Sequence, residues 1–285
     1  MTMNAKSEVP GIAAGSVVRH KADGSCECIT DEVTVEEPLE IRIGKDSIAV
    51  TMRTPGDDTD LTAGFLLSEG IVRRRADVQE IAHCTLPASL GNVVNVTLSP
   101  GVQWNAASAH RFGTISTSCG LCGKASIDFI RQQFPALDKT ASVRLAVARL
   151  LQMPDQLRRA QGNFARTGGI HAAAIFDLDG LLLILREDIG RHNAVDKAIG
   201  RAFLDARLPL QSHVLLVSGR CSLEIVQKAL AAGIPIVASV SAPSTLAVNF
   251  ARENRQTLVS FLRPPTFNVY AHIERLALDV EVPKS

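Results

Sequence analysis

Between Ile29 and Val50, apolar β-branched positions alternate with charged ones, as in Val33-Thr34-Val35-Glu36 and Ile41-Arg42-Ile43. A period of two predicts strands with one buried face, so the first third of the chain reads as sheet. Asp57-Asp58-Thr59-Asp60 precedes Leu61-Thr62-Ala63-Gly64-Phe65-Leu66-Leu67. Those acidic and hydroxyl side chains predict a capped helix, which Gly70 ends. A strand over about 92–98 is expected before Pro100. Ser142 is placed to cap a helix in which Val143, Val147, Leu150 and Leu151 share a face, with Pro154 as a break or restart.

After Gly168-Gly169 the texture changes. Apolar runs at 171–176 and 181–185 flank Asp177-Leu178-Asp179-Gly180, which predicts a hairpin, and a helix over about 194–204 follows. Segments 214–217, 223–232 and 234–240 then read as strand, helix and strand with short connections, the unit of a parallel sheet. A helix over 245–252 and a strand over 257–262 repeat it. The fold class expected is therefore α/β, or α+β for the whole chain, with a boundary between Thr140 and Gly168. Residues 1–28 are expected to be a flexible tail and 29–140 a smaller, mainly β domain. Residues 141–285 are expected to form an α/β domain whose strand ends make a binding crevice. No internal repeat is evident.

With 285 residues, 46% of them hydrophobic, the chain can bury one large core or two modest ones. A net charge of +1 and only 4% aromatic residues argue against a general nucleic-acid binder, which needs a basic footprint and stacking rings. The first residues lack the apolar stretch of a signal peptide, and no run reaches the roughly 18 apolar residues of a membrane span. A cytoplasmic location is expected. Six cysteines, scattered through a chain of this length, do not make a secreted disulfide framework.

Two of them stand three residues apart in Thr117-Ser118-Cys119-Gly120-Leu121-Cys122-Gly123-Lys124. The glycines leave the sulfurs uncovered, and Lys124 with a helix expected from Ala125 would lower a thiol pKa. Three readings fit the spacing. Structural zinc wants a second close ligand pair, and neither Cys26-x-Cys28 nor His83-Cys84 has the usual spacer. A thioredoxin-like disulfide wants the pair directly after the first strand of a small βαβ domain. A sulfur-carrying nucleophile wants an exposed loop. On spacing alone all three stay open. Cys84 and Cys221 read as small buried hydrophobes and Cys26 and Cys28 as surface residues.

A second constellation is Arg186-Glu187-Asp188-Ile189-Gly190-Arg191-His192-Asn193, with Asp196 and Lys197 just beyond. A salt-bridged helix start would explain it, but Arg and His beside a helix N-terminus also suit an anion. Ser218-Gly219-Arg220-Cys221-Ser222 and Ser239-Val240-Ser241-Ala242-Pro243-Ser244 each stand between a predicted strand and helix, where amides and hydroxyls can cradle phosphate. Neither fits a Walker or dinucleotide fingerprint. Together the three segments point to one phosphate-bearing ligand. His171, after Thr167-Gly168-Gly169-Ile170, reads as a buried histidine, and no metal ligand is assigned.

In order, Ser118-Cys119-Gly120-Leu121-Cys122-Gly123, Thr167-Gly168-Gly169 with His171, the Glu187 to Lys197 block and Ser218-Gly219-Arg220 resemble the FdhD family of sulfur carriers. The likeness continues through Lys228-Ala229, Ser241-Ala242-Pro243 and Asn268-Val269-Tyr270. It implies a formate dehydrogenase accessory factor with a cytidine-deaminase-like C-terminal fold. Such a factor takes persulfide sulfur from a cysteine desulfurase and passes it to the bis-molybdopterin guanine dinucleotide molybdenum cofactor, its substrate. GDP or GMP would mimic that substrate, and a homodimer is expected. By position, Cys119 carries the persulfide and Cys122 is a second thiol. Cofactor contacts fall on Asp188, Arg191, His192, Asn193, Ser218, Gly219, Arg220, Ser241 and the segment Phe261-Leu262-Arg263-Pro264-Pro265-Thr266. In that segment the family usually has glycine and a further basic residue after the arginine, and this chain has two prolines and a threonine. The rival reading is a cofactor-binding chaperone with the cysteine pair as a metal clip or redox latch. A hydrolytic deaminase would need His-x-Glu or Cys-x-Glu followed by Pro-Cys-x-x-Cys, and the chain has no such combination.

Overall fold

A computed structural model describes residues 5–6, 10–86, 89, 91–102, 134–138 and 143–277. Cys119, Cys122 and the helix expected after them lie outside the described residues. Strands β1 (Ala5–Lys6), β2 (Ile12–His20) and β3 (Cys26–Thr34) form an antiparallel sheet. This corrects the expected tail over 1–28, because Ile12 to His20 pairs residue by residue with Thr34 back to Cys26. Asp23 accepts from the amide and hydroxyl of Ser25, and Gly24 supplies a left-handed residue, so the reversal between the strands is locally satisfied. Gly15, Ser16, Arg19 and His20 dilute the apolar alternation that would have revealed β2.

A second sheet takes β4 (Glu37–Ile43), β5 (Asp46–Arg53), β6 (Val78–His83) and β7 (Val93–Leu98) in the order β5-β4-β7-β6. Leu39, Ile41 and Ile43 alternate into the core, as the period of two requires. Between β5 and β6 runs α1 (Asp58–Ser68), buried along nearly its whole length. Its acidic residues are not side-chain caps: Asp57 adopts a left-handed conformation with no capping bond, and Asp58 pairs with Arg53 at 2.9 Å.

β8 (Leu145–Ala146) leads into α2 (Val147–Ala160) and α3 (Gly162–Thr167). The first of these helices starts at Val147, not just after Ser142, because Val143 and Leu145 enter the core as extended chain. Pro154 does not interrupt it, and Leu150, Met153 and Leu157 keep one face buried on both sides of the proline.

The rest of the chain runs β9 (His171–Asp177), β10 (Leu182–Asp188), α4 (Arg191–Leu204), β11 (His213–Val217), α5 (Leu223–Ala231), β12 (Ile236–Ser239) and α6 (Thr245–Glu253). It ends with β13 (Thr257–Arg263), β14 (Thr266–Ala271) and β15 (Leu276–Ala277), the last pairing with β8. A six-stranded sheet has the order β10-β9-β11-β12-β13-β14. β11, β12 and β13 are parallel, whereas β9 is antiparallel to both β10 and β11, and β14 to β13. The C-terminal ends of β10, β11, β12 and β13 therefore share one edge with the starts of β9 and β14.

Both faces of this sheet are covered, which makes the chain a mixed α/β protein. Ala172, Ala174, Phe176, Val214 and Leu216 pack with Leu150, Met153 and Leu157 of α2. Ala173, Ile175, Leu215 and Val217 pack with residues of α4, α5 and α6, and that cluster runs on without a gap into α1 and β4. The junction is a contact between helix backbones. A Cβ on Gly64 of α1 would lie 1.9 Å from the Asp196 carbonyl oxygen of α4, and one on Gly200 would lie 1.8 Å from that of Asp60. Among the described residues no helix is long and apolar enough to cross a membrane.

Candidate functional site

The shared strand edge brings the predicted loops together. Val240 N donates to Val217 O at 3.1 Å, Cys221 N to Ala242 O at 3.0 Å and Ser244 N to Cys221 O at 3.0 Å. These bonds fasten the loop after β11 to the loop after β12. Phe261 N donates to Ser241 O at 3.1 Å, and Arg263 Nε to Val240 O at 3.0 Å, which adds the end of β13. Ser218, Gly219, Arg220, Ser241 and the 261–266 segment thus form one continuous row.

Within that row the hydroxyls mostly serve the backbone. Ser218 Oγ accepts from Ala172 N at 2.9 Å while Ser218 N donates to Ala172 O, so the residue extends the β9–β11 ladder by one step. Ser244 Oγ accepts from Ala247 N and caps α6. Ser239 Oγ donates to Ser241 O at 2.9 Å. Cys221 is buried beneath the joined loops, and burial pushes its thiol up to about 12, so it is an unreactive core residue. Cys84 is half-buried, and Cys26 and Cys28 are exposed.

In the 261–266 segment Leu262 points into the core, whereas Phe261 and Arg263 face outward. Phe261 has φ 52°, an unusual value for a bulky side chain. Pro264 and Pro265, joined by a cis peptide, make the turn in which Arg263 pairs with Thr266.

The Glu187–Asn193 stretch divides into residues that face inward and residues that face the edge. Asp188 is fully buried, with Oδ1 accepting from Gly190 N at 2.8 Å and from Asn193 Nδ2 at 3.1 Å. Its Oδ2 accepts from Thr54 N at 3.1 Å and pairs with Lys197 Nζ at 2.8 Å. Lys197 also donates to Thr54 O, and Asn193 to Met52 O, both at 2.8 Å. Asp188 and Asn193 therefore clamp the turn after β5 to the start of α4 and position what α4 presents. Glu187 accepts from the amides of Asn163 and Phe164 at the start of α3.

His192 Nε2 lies 2.9 Å from Ser222 Oγ and 3.1 Å from Glu224 Oε2, which ties it to the first turn of α5. Burial, aided by the charges of Lys228 and Arg191 and by His171, pushes its pKa down to about 3, so the ring is neutral at pH 7. Below it Lys228 Nζ sits 2.8 Å from both oxygens of Asp196, and Ser68 Oγ donates to Asp196 at 3.0 Å. Glu69 joins this cluster, and burial pushes its carboxyl up to about 7 against the pull of Lys228.

Arg191 and Arg220 face the edge, with Gly219 between Arg191 and His171. His171, read from sequence as a core histidine, is only half-buried and pairs across the sheet with Asp188. Its position at the first residue of a strand that follows two glycines was the available signal.

A profile of the FdhD/NarQ family matches residues 34–277. A sulfur carrier protein FdhD of Streptomyces coelicolor is 50% identical over 266 residues, covering 91% of this chain and 94% of that protein. The one of Mycobacterium tuberculosis is 49% identical over 91% of this chain and 96% of its own length. That of Anaeromyxobacter dehalogenans is 43% identical over 93% of this chain and 95% of its own length. In fold, the chain is similar to a crystal structure assigned to a formate dehydrogenase accessory protein of Desulfotalea psychrophila. The TM-score is 0.74 at 24% identity, over 94% of this chain and 100% of that one. The matched span holds the whole row of loops as well as Cys119 and Cys122, and by it the chain belongs to the FdhD/NarQ family.

Proposed function

We propose that this chain is a sulfur carrier for a formate dehydrogenase, loading sulfur on Cys119 and delivering it to a bis-molybdopterin guanine dinucleotide substrate on the loop row. The observation that carries this reading is the 50% identity over 91% of the chain with a protein named as a sulfur carrier. In the loading step the Cys119 thiolate attacks the outer sulfur of a cysteine desulfurase persulfide. A new S–S bond forms at Cys119, the donor's S–S bond breaks, and the donor cysteine leaves as thiolate. In the delivery step the Cys122 thiolate attacks Sγ of Cys119 and displaces the outer sulfur as hydrosulfide toward the molybdenum. The resulting Cys119–Cys122 disulfide is returned to thiols by a dithiol reductant. A guanine dinucleotide carries phosphates, and the strand edge offers Arg191, Arg220 and Arg263 beside exposed backbone.

Incubation with a desulfurase and cysteine, followed by intact-protein mass spectrometry, tests the first step. One sulfur atom should be added, lost on reduction and absent in Cys119→Ala. An adduct that persists in Cys119→Ala overturns the assignment. Cys122→Ala should load sulfur yet release no sulfide until an external thiol is added, and release at the normal rate would remove Cys122 from the scheme. Stoichiometric zinc on the cysteine pair would favour a sheltering chaperone instead.

A further inference from the structure

Free cysteines are usually buried, yet two stand together here on open strand surface. Cys26 and Cys28 are alternate residues of β3, so their side chains leave the ribbon on the same face. Cys26 lies opposite His20 and Cys28 opposite Val18, and directly opposed residues of an antiparallel pair also share a face. Ser16, Val18, His20, Cys26, Cys28 and Thr30 on that face are all exposed, whereas Val17 and Ile29 on the other are half-buried. The profile match begins at residue 34, at the end of this ribbon, and the sulfur transfer proposed above does not use the pair.

The ribbon holds the two thiols in place. Its residue pairs run without a break from Ile12 opposite Thr34 to His20 opposite Cys26. Lys21 pairs with Glu27 at 3.1 Å beside the turn, and Thr34 Oγ1 donates to Thr167 Oγ1 at 3.0 Å at the base. Alternate residues of an extended strand are about 6.8 Å apart. A disulfide needs its Cβ atoms about 3.5–4.5 Å apart, so the ribbon keeps the two thiols from closing on each other. Two metal–thiolate bonds of about 2.3 Å each span about 4.6 Å, a length that sulfurs leaning toward each other from this spacing can match.

Ligand number and softness decide which ion fits. Zinc takes four ligands, and among the described residues no three His, Cys, Asp or Glu side chains are grouped to hold a metal ion. None of the six exposed residues of this face is a carboxylate, which leaves nothing for calcium or magnesium. Copper(I) is soft, prefers thiolates and is satisfied by two of them in a line. We infer that Cys26 and Cys28 form a two-thiolate copper(I) site on the exposed face of the β2–β3 ribbon. Binding displaces one proton from each thiol and changes no oxidation state. The site is separate from Cys119 and Cys122, and its assignment does not depend on their chemistry.

Competition against a chromophoric copper(I) chelator, without oxygen, tests this in the full-length Cys119→Ser/Cys122→Ser variant, which removes the other close thiol pair. One copper(I) per chain should be withdrawn from the chelator, and that capture should be lost when Cys26→Ser or Cys28→Ser is added. X-ray absorption should show two sulfur neighbours at the metal. In the wild-type chain, bound copper(I) should shield Cys26 and Cys28 from alkylation, read by peptide mass spectrometry. No capture, capture that survives both serine substitutions, or no shielding of the two cysteines overturns the site. Loss of capture in His20→Gln, with both thiols intact, overturns the two-thiolate assignment. Copper-dependent dimerisation, the sign of an ion shared between two chains, overturns it as well.

Discussion

Lys197 carries its charge where water does not reach, offset by Asp188 at 2.8 Å and the carbonyl of Thr54. Lys197→Met strands the Asp188 carboxylate, and a loss of about 3–5 kcal/mol is expected in urea unfolding. A Lys197→Met/Asp188→Asn double variant should recover part of it. Two other groups set a pH dependence. His192 titrates at about 3 in the folded chain against 6.5 when free, so the unfolded chain binds the extra proton and stability rises with pH between those values. Glu69 titrates at about 7 against 4.5, so the folded chain holds the extra proton and stability falls as pH climbs through that window. Glu69→Gln should therefore raise the melting temperature over wild type at pH 8 and match it near pH 4.5, as thermal unfolding at both values would show. Asp188 and Asn193 have the chemistry of ligand contacts, and the sequence reads them so, yet both side chains are spent on internal bonds. Their inward direction was not legible, because it depends on Thr54 and Met52, more than 130 positions earlier.

At the scale of elements, the strand and helix order from β9 to β13 was readable because each unit is local, with apolar runs punctuated by glycine and proline. The α1–α4 contact was not. Gly64 looks like an ordinary small residue in an apolar helix until Gly200 is seen against the same backbone. Gly200→Ala must push the helices apart, and a loss of roughly 1–3 kcal/mol or more is expected from overpacking. Hydrogen exchange should then show early opening of α1 and α4. Gly162→Ala, with nothing near its Cβ, is the matched control. Similarly, Asp57 to Asp60 reads as a cap, but Asp60 serves Arg186 of β10 at 2.7 Å. Local sequence does not reveal a partner on another sheet.

For the whole molecule, the apolar cluster that starts in β4 crosses α1 and ends on the six-stranded sheet. A fragment of residues 141–285 would expose the α4 face and remove Thr54, whose amide and carbonyl are bound by Asp188 and Lys197. It should fail to give a cooperative unfolding transition, whereas the full chain gives one that coincides by circular dichroism and fluorescence. An independently folding fragment would mean that the junction is an interface between separate domains.

Cys221 gives this molecule an internal clock. Its thiol is sealed under the bonds joining the loops after β11 and β12 and is held protonated by burial. An alkylating reagent meets it only when those loops part. Among the described cysteines, Cys26 and Cys28 should react at once, and the delay before Cys221 reacts measures how often the strand edge opens. A ligand that bridges the two loops should lengthen that delay, so occupancy of the site can be followed at a buried thiol.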